Sequence, residues 1–141
     1  MKVDLVTGGA GFIGCNIVRE LLARGRRVRV LDNFSTGYRR NLDEVAADIE
    51  IIEGDLRSCH TVTKAVKDVE VVFHQGALPS VPRSIADPVT TNDVNVGGTL
   101  NILHAAVEAG VRRIVFASSS SVYGDAAVGV KDESLPPMPL S

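Results

Sequence analysis

The sequence predicts an α/β fold, a doubly wound parallel sheet with helices on both faces. Three observations carry this. Five short runs rich in β-branched and aromatic residues alternate with stretches whose apolar residues recur at helical spacing. The first run meets the first helical stretch at a glycine-rich turn, Thr7-Gly8-Gly9-Ala10-Gly11-Phe12-Ile13-Gly14. An acid, Asp32, closes the second run about 20 residues beyond that turn. Right-handed crossovers then place all strand carboxyl ends on one edge.

In chain order, Val3, Leu5 and Val6 read as a buried strand. Ile13, Ile17 and Leu21, backed by Val18 and Leu22, follow helical spacing to a stop at Gly25. The stretch Arg26-Arg27-Val28-Arg29-Val30-Leu31 leads into Asp32 as a second strand, with its arginines expected on a solvated edge. Ser35-Thr36-Gly37 is a turn, and Asn41 to Ala47 suits a short helix. Ile49 to Ile52 alternates as the third strand, closed by Gly54-Asp55. Ser58 is placed to cap a helix with Val62, Ala65, Val66 and Val69 on one face. Val71-Val72-Phe73 is the fourth strand, apolar throughout as a covered parallel strand requires, and His74 follows as a hydrogen-bonded structural residue. Leu78 to Thr91 is a long connection with three prolines, of the length that is often functional or partly helical. Asp93 to Gly110 is helical through Val96, Leu100, Leu103 and Val107. Ile114-Val115-Phe116 is the fifth strand, running into Ser118-Ser119-Ser120-Ser121-Val122-Tyr123-Gly124. Asp125 to Ser141 is loop-like, with Pro136, Pro137 and Pro139 breaking any helix.

Composition narrows the class. Of 141 residues, 45% are hydrophobic and 23% charged, with a net charge of -2, which gives no pull toward nucleic acid or anionic membranes. No apolar stretch approaches the roughly 18 residues a membrane span needs, and the start of the chain enters a strand directly, without a signal-peptide pattern. Cys15 and Cys59 lack metal or disulfide spacing and are expected as free thiols in a cytoplasmic protein. No metal site is expected.

The glycine turn supplies the chemistry. Gly8, Gly11 and Gly14 permit a tight turn and close backbone approach, and the helix that follows aims free N–H groups at a pyrophosphate. Asp32 stands where an acid accepts hydrogen bonds from an adenine-side ribose and repels a 2′-phosphate, which favours NAD over NADP. Arg39 and Arg40, a few residues on, slightly oppose that preference. Asp55, Gln75-Gly76-Ala77 and Ser118 to Ser121 all fall at strand carboxyl ends, beside the same turn.

These residues resemble the extended short-chain dehydrogenases/reductases, specifically NAD-dependent sugar-nucleotide epimerases. The resemblance rests on Val6 to Gly14, Leu31-Asp32-Asn33, Gly54-Asp55-Leu56, Phe73-His74-Gln75-Gly76-Ala77, Asn95-Val96-Gly97-Gly98-Thr99 and Ser118 to Gly124. It implies a Rossmann fold holding NAD, with Gly8, Gly11, Phe12 and Ile13 at the pyrophosphate. Asp32 and Asn33, with Ser35, Thr36 and Gly37, would lie at the adenosine ribose, and Asp55 and Leu56 beside the adenine. Gln75, Gly76, Ala77, Leu78 and Asn95 would line the path to the nicotinamide, with Ser118 at the same end. Ser119 would be the catalytic serine, and Ser80 and Ser120 would join it against the substrate. Dehydratases of the family carry an Asp-Glu pair after this position and decarboxylases a Glu. Here Ser120 and Ser121 follow instead, so epimerisation at C4 of a UDP-hexose or UDP-N-acetylhexosamine is expected. The Leu78 to Ser84 stretch is most similar to epimerases of UDP-N-acetylglucosamine. The family also implies a homodimer.

The family's Tyr-x-x-x-Lys pair would fall just past Ser141. Residues 1–124 are thus expected to form an incomplete NAD-binding domain and 125–141 a loop toward that pair, with the substrate domain outside the sequence. The 141 residues alone are expected to be inactive, with an open apolar face beside the fifth strand that disposes them to self-association.

Overall fold

The computed structural model describes residues 3–125 and 129–140. Met1 and Lys2 of the expected 1–124 domain and part of the expected terminal loop, residues 126–128 and Ser141, lie outside the described residues. Five parallel strands stand in the order β3-β2-β1-β4-β5: β1 Val3–Thr7, β2 Arg27–Asp32, β3 Ile49–Glu53, β4 Val69–His74 and β5 Arg113–Phe116. The chain winds outward from β1 to β3, then crosses back and winds outward again from β4. The switch lies between β1 and β4, and in such sheets the ligand crevice opens there.

Each face of the sheet carries its own core. Helix α1, Phe12–Ala23, and a 3-10 turn over Arg39–Val45 cover Val6, Val28 and Val30 through Cys15, Val18, Leu21 and Leu42. Helices α2, Cys59–Val66, and α5, Gly98–Glu108, cover Leu5, Leu31, Ile52 and Val72 through Val62, Val66 and Ile102. Full burial of a side chain such as Val18 or Ile102, both at 0% exposure, contributes about 1.5–3 kcal/mol. The Ser58 cap is present, its Oγ accepting from the Thr61 N–H at 3.3 Å. Val69, expected on that helix, instead begins β4. The long proline-bearing connection folds as two short helices, α3 Val81–Ala86 and α4 Pro88–Asn92.

One further sequence expectation is corrected, and two helix faces are settled. The Arg26 to Arg29 run does not mark a solvated edge, because β2 lies inside the sheet. Arg26 forks onto the buried Asp4 at 2.7 and 2.8 Å and also reaches Glu70 at 2.8 Å. Arg29 pairs with Glu50 at 2.7 Å and donates to the carbonyls of Ala65 and Lys67. The Asp93 to Gly110 stretch is helical, but its first turn, Asp93–Gly97, is a π-turn. Within this stretch the large aliphatic stripe faces outward: Val96, Leu100, Leu103 and Val107 are exposed, while Gly98, Ile102, Ala105 and Ala106 are buried. Small residues win the inner face because α5 approaches closely; a Cβ on Gly98 would stand 2.7 Å from Leu56 Cβ. In α1, Ile13 is likewise exposed, and the buried face is Gly14, Cys15, Val18 and Leu21. At the outer strand β5, Val115 and Phe116 are exposed, as the open apolar face required.

Candidate functional site

The strand carboxyl ends of β1 and β4 meet at the glycine turn. Gly8 sits at φ +66°, and a Cβ there would come within 2.8 Å of the Gly76 backbone. A Cβ on Gly14 would stand 2.2 Å from the Gly8 carbonyl oxygen, so the turn closes only on a bare backbone. The Gly11 N–H donates to Gly8 O at 3.1 Å, and the Cys15 N–H donates to Gly11 O at 3.0 Å to start α1. No side chain caps this helix end and no acid stands in its first turn. The N–H groups of Phe12 and Ile13 therefore present a partial positive charge at the sheet's crevice, a ready seat for a diphosphate.

Asp32, 8% exposed, is held by that turn rather than by a cation. Its Oδ2 accepts from the Ala10 N–H at 2.9 Å and its Oδ1 from the Phe34 N–H at 2.8 Å. A carboxylate offers roughly four acceptor positions, so about two remain open to further donors. Phe34 adopts φ +56°, a conformation costing on the order of 1 kcal/mol that the bond to Asp32 offsets. Gly37 is buried against Ala10, where a Cβ would come within 2.9 Å. Ser35 and Thr36 lie on the same bend, and the Ser35 N–H donates to Asn33 Oδ1 at 3.0 Å. Asn33 Nδ2 donates to Asp55 Oδ2 at 3.1 Å, joining the ends of β2 and β3. The Arg57 guanidinium forks onto Asp55 and holds its carboxyl down at about 2. Leu56 is buried between Gly76 and Gly98.

A chain of hydrogen bonds fixes the segment after β4. The Gly76 N–H donates to Thr7 Oγ1 at 3.1 Å, and Thr7 Oγ1 meets His74 Nδ1 at 2.6 Å. His74 Nε2 meets Thr99 Oγ1 at 3.0 Å, and that hydroxyl donates to Asn95 O at 2.6 Å. The last bond uses the Thr99 proton, so His74 is assigned as the neutral ring with its hydrogen on Nε2 and Nδ1 accepting from Thr7. Burial pushes the His74 ring down to about 4, which agrees. The π-turn places Asn95 so that its amide clasps Leu78, Oδ1 accepting from the Leu78 N–H at 2.7 Å and Nδ2 donating to Leu78 O at 3.0 Å. Gln75 continues the sheet, its N–H donating to Thr7 O at 3.2 Å, and Ala77 is exposed between the two anchors. Sequence reasoning missed Thr7 and Thr99; the signal was a hydroxyl at the polar end of an apolar strand and another four residues after Asn95. Among the described residues no group of three His, Cys, Asp or Glu is arranged to hold a metal.

The serine end is more open. Ser118, Ser119 and Ser120 are exposed past β5, and Ser119 Oγ accepts from the Ser121 N–H at 3.1 Å to start the 3-10 turn Ser120–Tyr123. Residues 129–140 return beside this turn, where the Met138 N–H donates to Val122 O at 2.8 Å. Ser80, at φ +116°, caps α3, its Oγ accepting from the Arg83 N–H at 3.4 Å. The structure thus gathers the glycine turn, Asp32, Asn33, Asp55 and Gly76 to Leu78 at the carboxyl ends of β1 to β4, while Ser118 to Ser120 stand exposed past the end of β5.

The model of the NAD dependent epimerase/dehydratase family matches residues 5–141. The chain belongs to that family. The UDP-glucose 4-epimerase of Thermus thermophilus, solved in complex with NAD, is 44% identical, with a TM-score of 0.89 over 97% of this chain and 44% of that one. DesIV of Streptomyces venezuelae, a dTDP-glucose 4,6-dehydratase with NAD and TYD bound, is 39% identical, with the same TM-score over 97% of this chain and 45% of that one. The UDP-glucose 4-epimerase of Lactobacillus helveticus is 40% identical over 126 residues, 88% of this chain and 37% of that enzyme. This epimerase/dehydratase-family chain therefore spans less than half the length of these relatives. Its doubly wound sheet is the fold that both solved relatives share.

Proposed function

We propose that this chain is the NAD-binding part of a sugar-nucleotide C4-epimerase acting on a UDP-hexose or UDP-N-acetylhexosamine. The observation that carries the reading is the uncapped start of α1 over the Gly8–Gly14 turn, with the Asp32 carboxylate fastened to the same turn through the Ala10 N–H. The residues present fit a dinucleotide, and the likeness to the NAD-bound epimerase supports it.

When bound, NAD supplies a reversible hydride acceptor for C4 of the sugar. The chain's residues position and hold it. Phe12 and Ile13 N–H groups, beside Gly8 and Gly11, take the pyrophosphate; Asp32 and Asn33 take the ribose, with Ser35, Thr36 and Gly37 framing it. Asp55 and Leu56 border the adenine. Gly76, Ala77 and Leu78, fixed by Thr7, Asn95 and Gln75, border the nicotinamide with Ser118. Ser119 hydrogen-bonds the sugar hydroxyl from which the proton leaves, and Ser80 and Ser120 shape the substrate side. Epimerisation is favoured over elimination because no carboxylate follows Ser119 to remove or donate the proton that loss of water requires. A cytoplasmic homodimer belongs to the same reading: Cys15 and Cys59 are free, and the exposed stripe Val96, Leu100, Leu103 and Val107 suits a subunit contact.

The test is product analysis by NMR after incubating the protein that carries this chain with UDP-glucose and UDP-N-acetylglucosamine. Inversion at C4 is expected, with Ser119→Ala lowering kcat about a hundredfold at little change in KM. A 4,6-dehydrated or decarboxylated product would overturn the assignment.

A further inference from the structure

Arg39 and Arg40 follow the ribose-side acid closely and, in an extended chain, would attract a 2′-phosphate. The folded chain holds both guanidiniums against other groups. Glu53 is the register partner of Asp32 across β2 and β3, so two carboxylates end adjacent strands. Arg39 Nη2 pairs with Glu53 Oε2, and the Arg39 guanidinium lies 3.9 Å from the centroid of the Phe34 ring. Phe34 is the residue whose N–H holds Asp32 Oδ1. Arg40 stacks on Tyr38, its guanidinium 4.6 Å from that ring's centroid. On the adenine side Arg57 is matched by Asp55. The bonds that Asp32 itself accepts come from backbone N–H groups, which bring no formal charge. Of the three carboxylates named here Asp32 is thus the one with no guanidinium against it, and each of the three arginines is either paired or stacked.

We propose that Glu53 is a cofactor-specificity residue. By holding Arg39 against Phe34 it withholds a cation from the ribose 2′ position, so that rejection of a 2′-phosphate is shared between Asp32 and Glu53. The inference rests on the NAD-binding reading above. The Arg39 and Glu53 side chains are 58% and 63% exposed, and an exposed ion pair contributes little to folding. Its consequence therefore falls on ligand choice, and its loss leaves a folded protein to measure.

The experiment titrates the wild type, Glu53→Gln and Glu53→Gln/Arg39→Ala with NADH and with NADPH, following nicotinamide fluorescence. In Glu53→Gln the ratio of Kd for NADPH to Kd for NADH is expected to fall about tenfold, and less in about 0.5 M salt, where exposed charges are screened. Adding Arg39→Ala is expected to restore the wild-type ratio. An unmoved ratio in Glu53→Gln, or a fall that survives removal of Arg39, overturns the role of Glu53 while leaving NAD binding intact. If the wild type binds neither dinucleotide, the NAD reading fails and this inference fails with it.

Discussion

His74 gives the site a titration that is measurable from outside. Its ring is 2% exposed and neutral, accepting from Thr7 and donating to Thr99, with Phe116 against its face at a centroid distance of 5.8 Å. Protonation would turn Nδ1 into a second donor facing a hydroxyl that already accepts from Gly76. The ring is lowered from 6.5 to about 4 by burial, so between those values the unfolded chain binds a proton that the folded chain refuses. The contribution to stability is complete above pH 6.5, falls as pH drops through that window, and is fully lost below pH 4. The whole loss is about 3 kcal/mol, of which about 1.3 kcal/mol falls between roughly pH 7.5 and pH 5.5. The side chains of Asp55, Asp87 and Asp132 are held below 3.8 by their hydrogen bonds and do not titrate in that range. Urea unfolding of the wild type and His74→Gln at both pH values isolates the effect, since His60 and His104 remain in each. The variant is expected to be less stable at the higher pH by about 1–3 kcal/mol, because Thr7 and Thr99 lose a buried partner. On acidification it should lose about 1.3 kcal/mol less than the wild type. Parallel pH dependences of the two proteins would refute the neutral, buried assignment.

Two further changes probe the frame. Gly14→Ala places a methyl 2.2 Å from Gly8 O and 2.7 Å from Gly9 Cα, which rigid backbone does not yield. NADH affinity is expected to drop more than a hundredfold, with roughly 3 kcal/mol or more of stability lost, by fluorescence titration and urea unfolding. Asp4→Asn removes the buried carboxylate under Arg26 at the opposite edge of the sheet. It is expected to lower the thermal midpoint by about 5 °C or more while the NADH Kd stays within about twofold, read by circular dichroism and titration.

Much of this fold was legible because its signals are local. Strand runs, the Ser58 cap, the stops at Gly25 and Gly110, and the glycine turn each follow from residues within a few positions of one another. The places where reading stopped short or failed share another character. In α5 and the turn before it, the spacing of Val96, Leu100, Leu103 and Val107 was helical, yet which side faced the sheet depended on how closely Leu56 and Gly98 approach. The arginines around β2 read as solvated because their partners, Asp4, Glu50 and Glu70, are distant in sequence. The candidate site divides the same way. Gly8, Gly14 and Asp32 were identified by spacing, whereas Thr7, Thr99 and Glu53 acquired their places only through neighbouring strands and helices lying side by side.

By itself, then, the sequence determined the alternation of strand and helix, the bare-backbone turn and the acid that follows it, since period and glycine freedom act over short range. Tertiary structure decided which helix faces are buried, which cations are neutralised and which hydroxyls hold His74. Those outcomes depend on contacts between residues roughly 20 to 70 positions apart, and hydrophobic period carries no information about them.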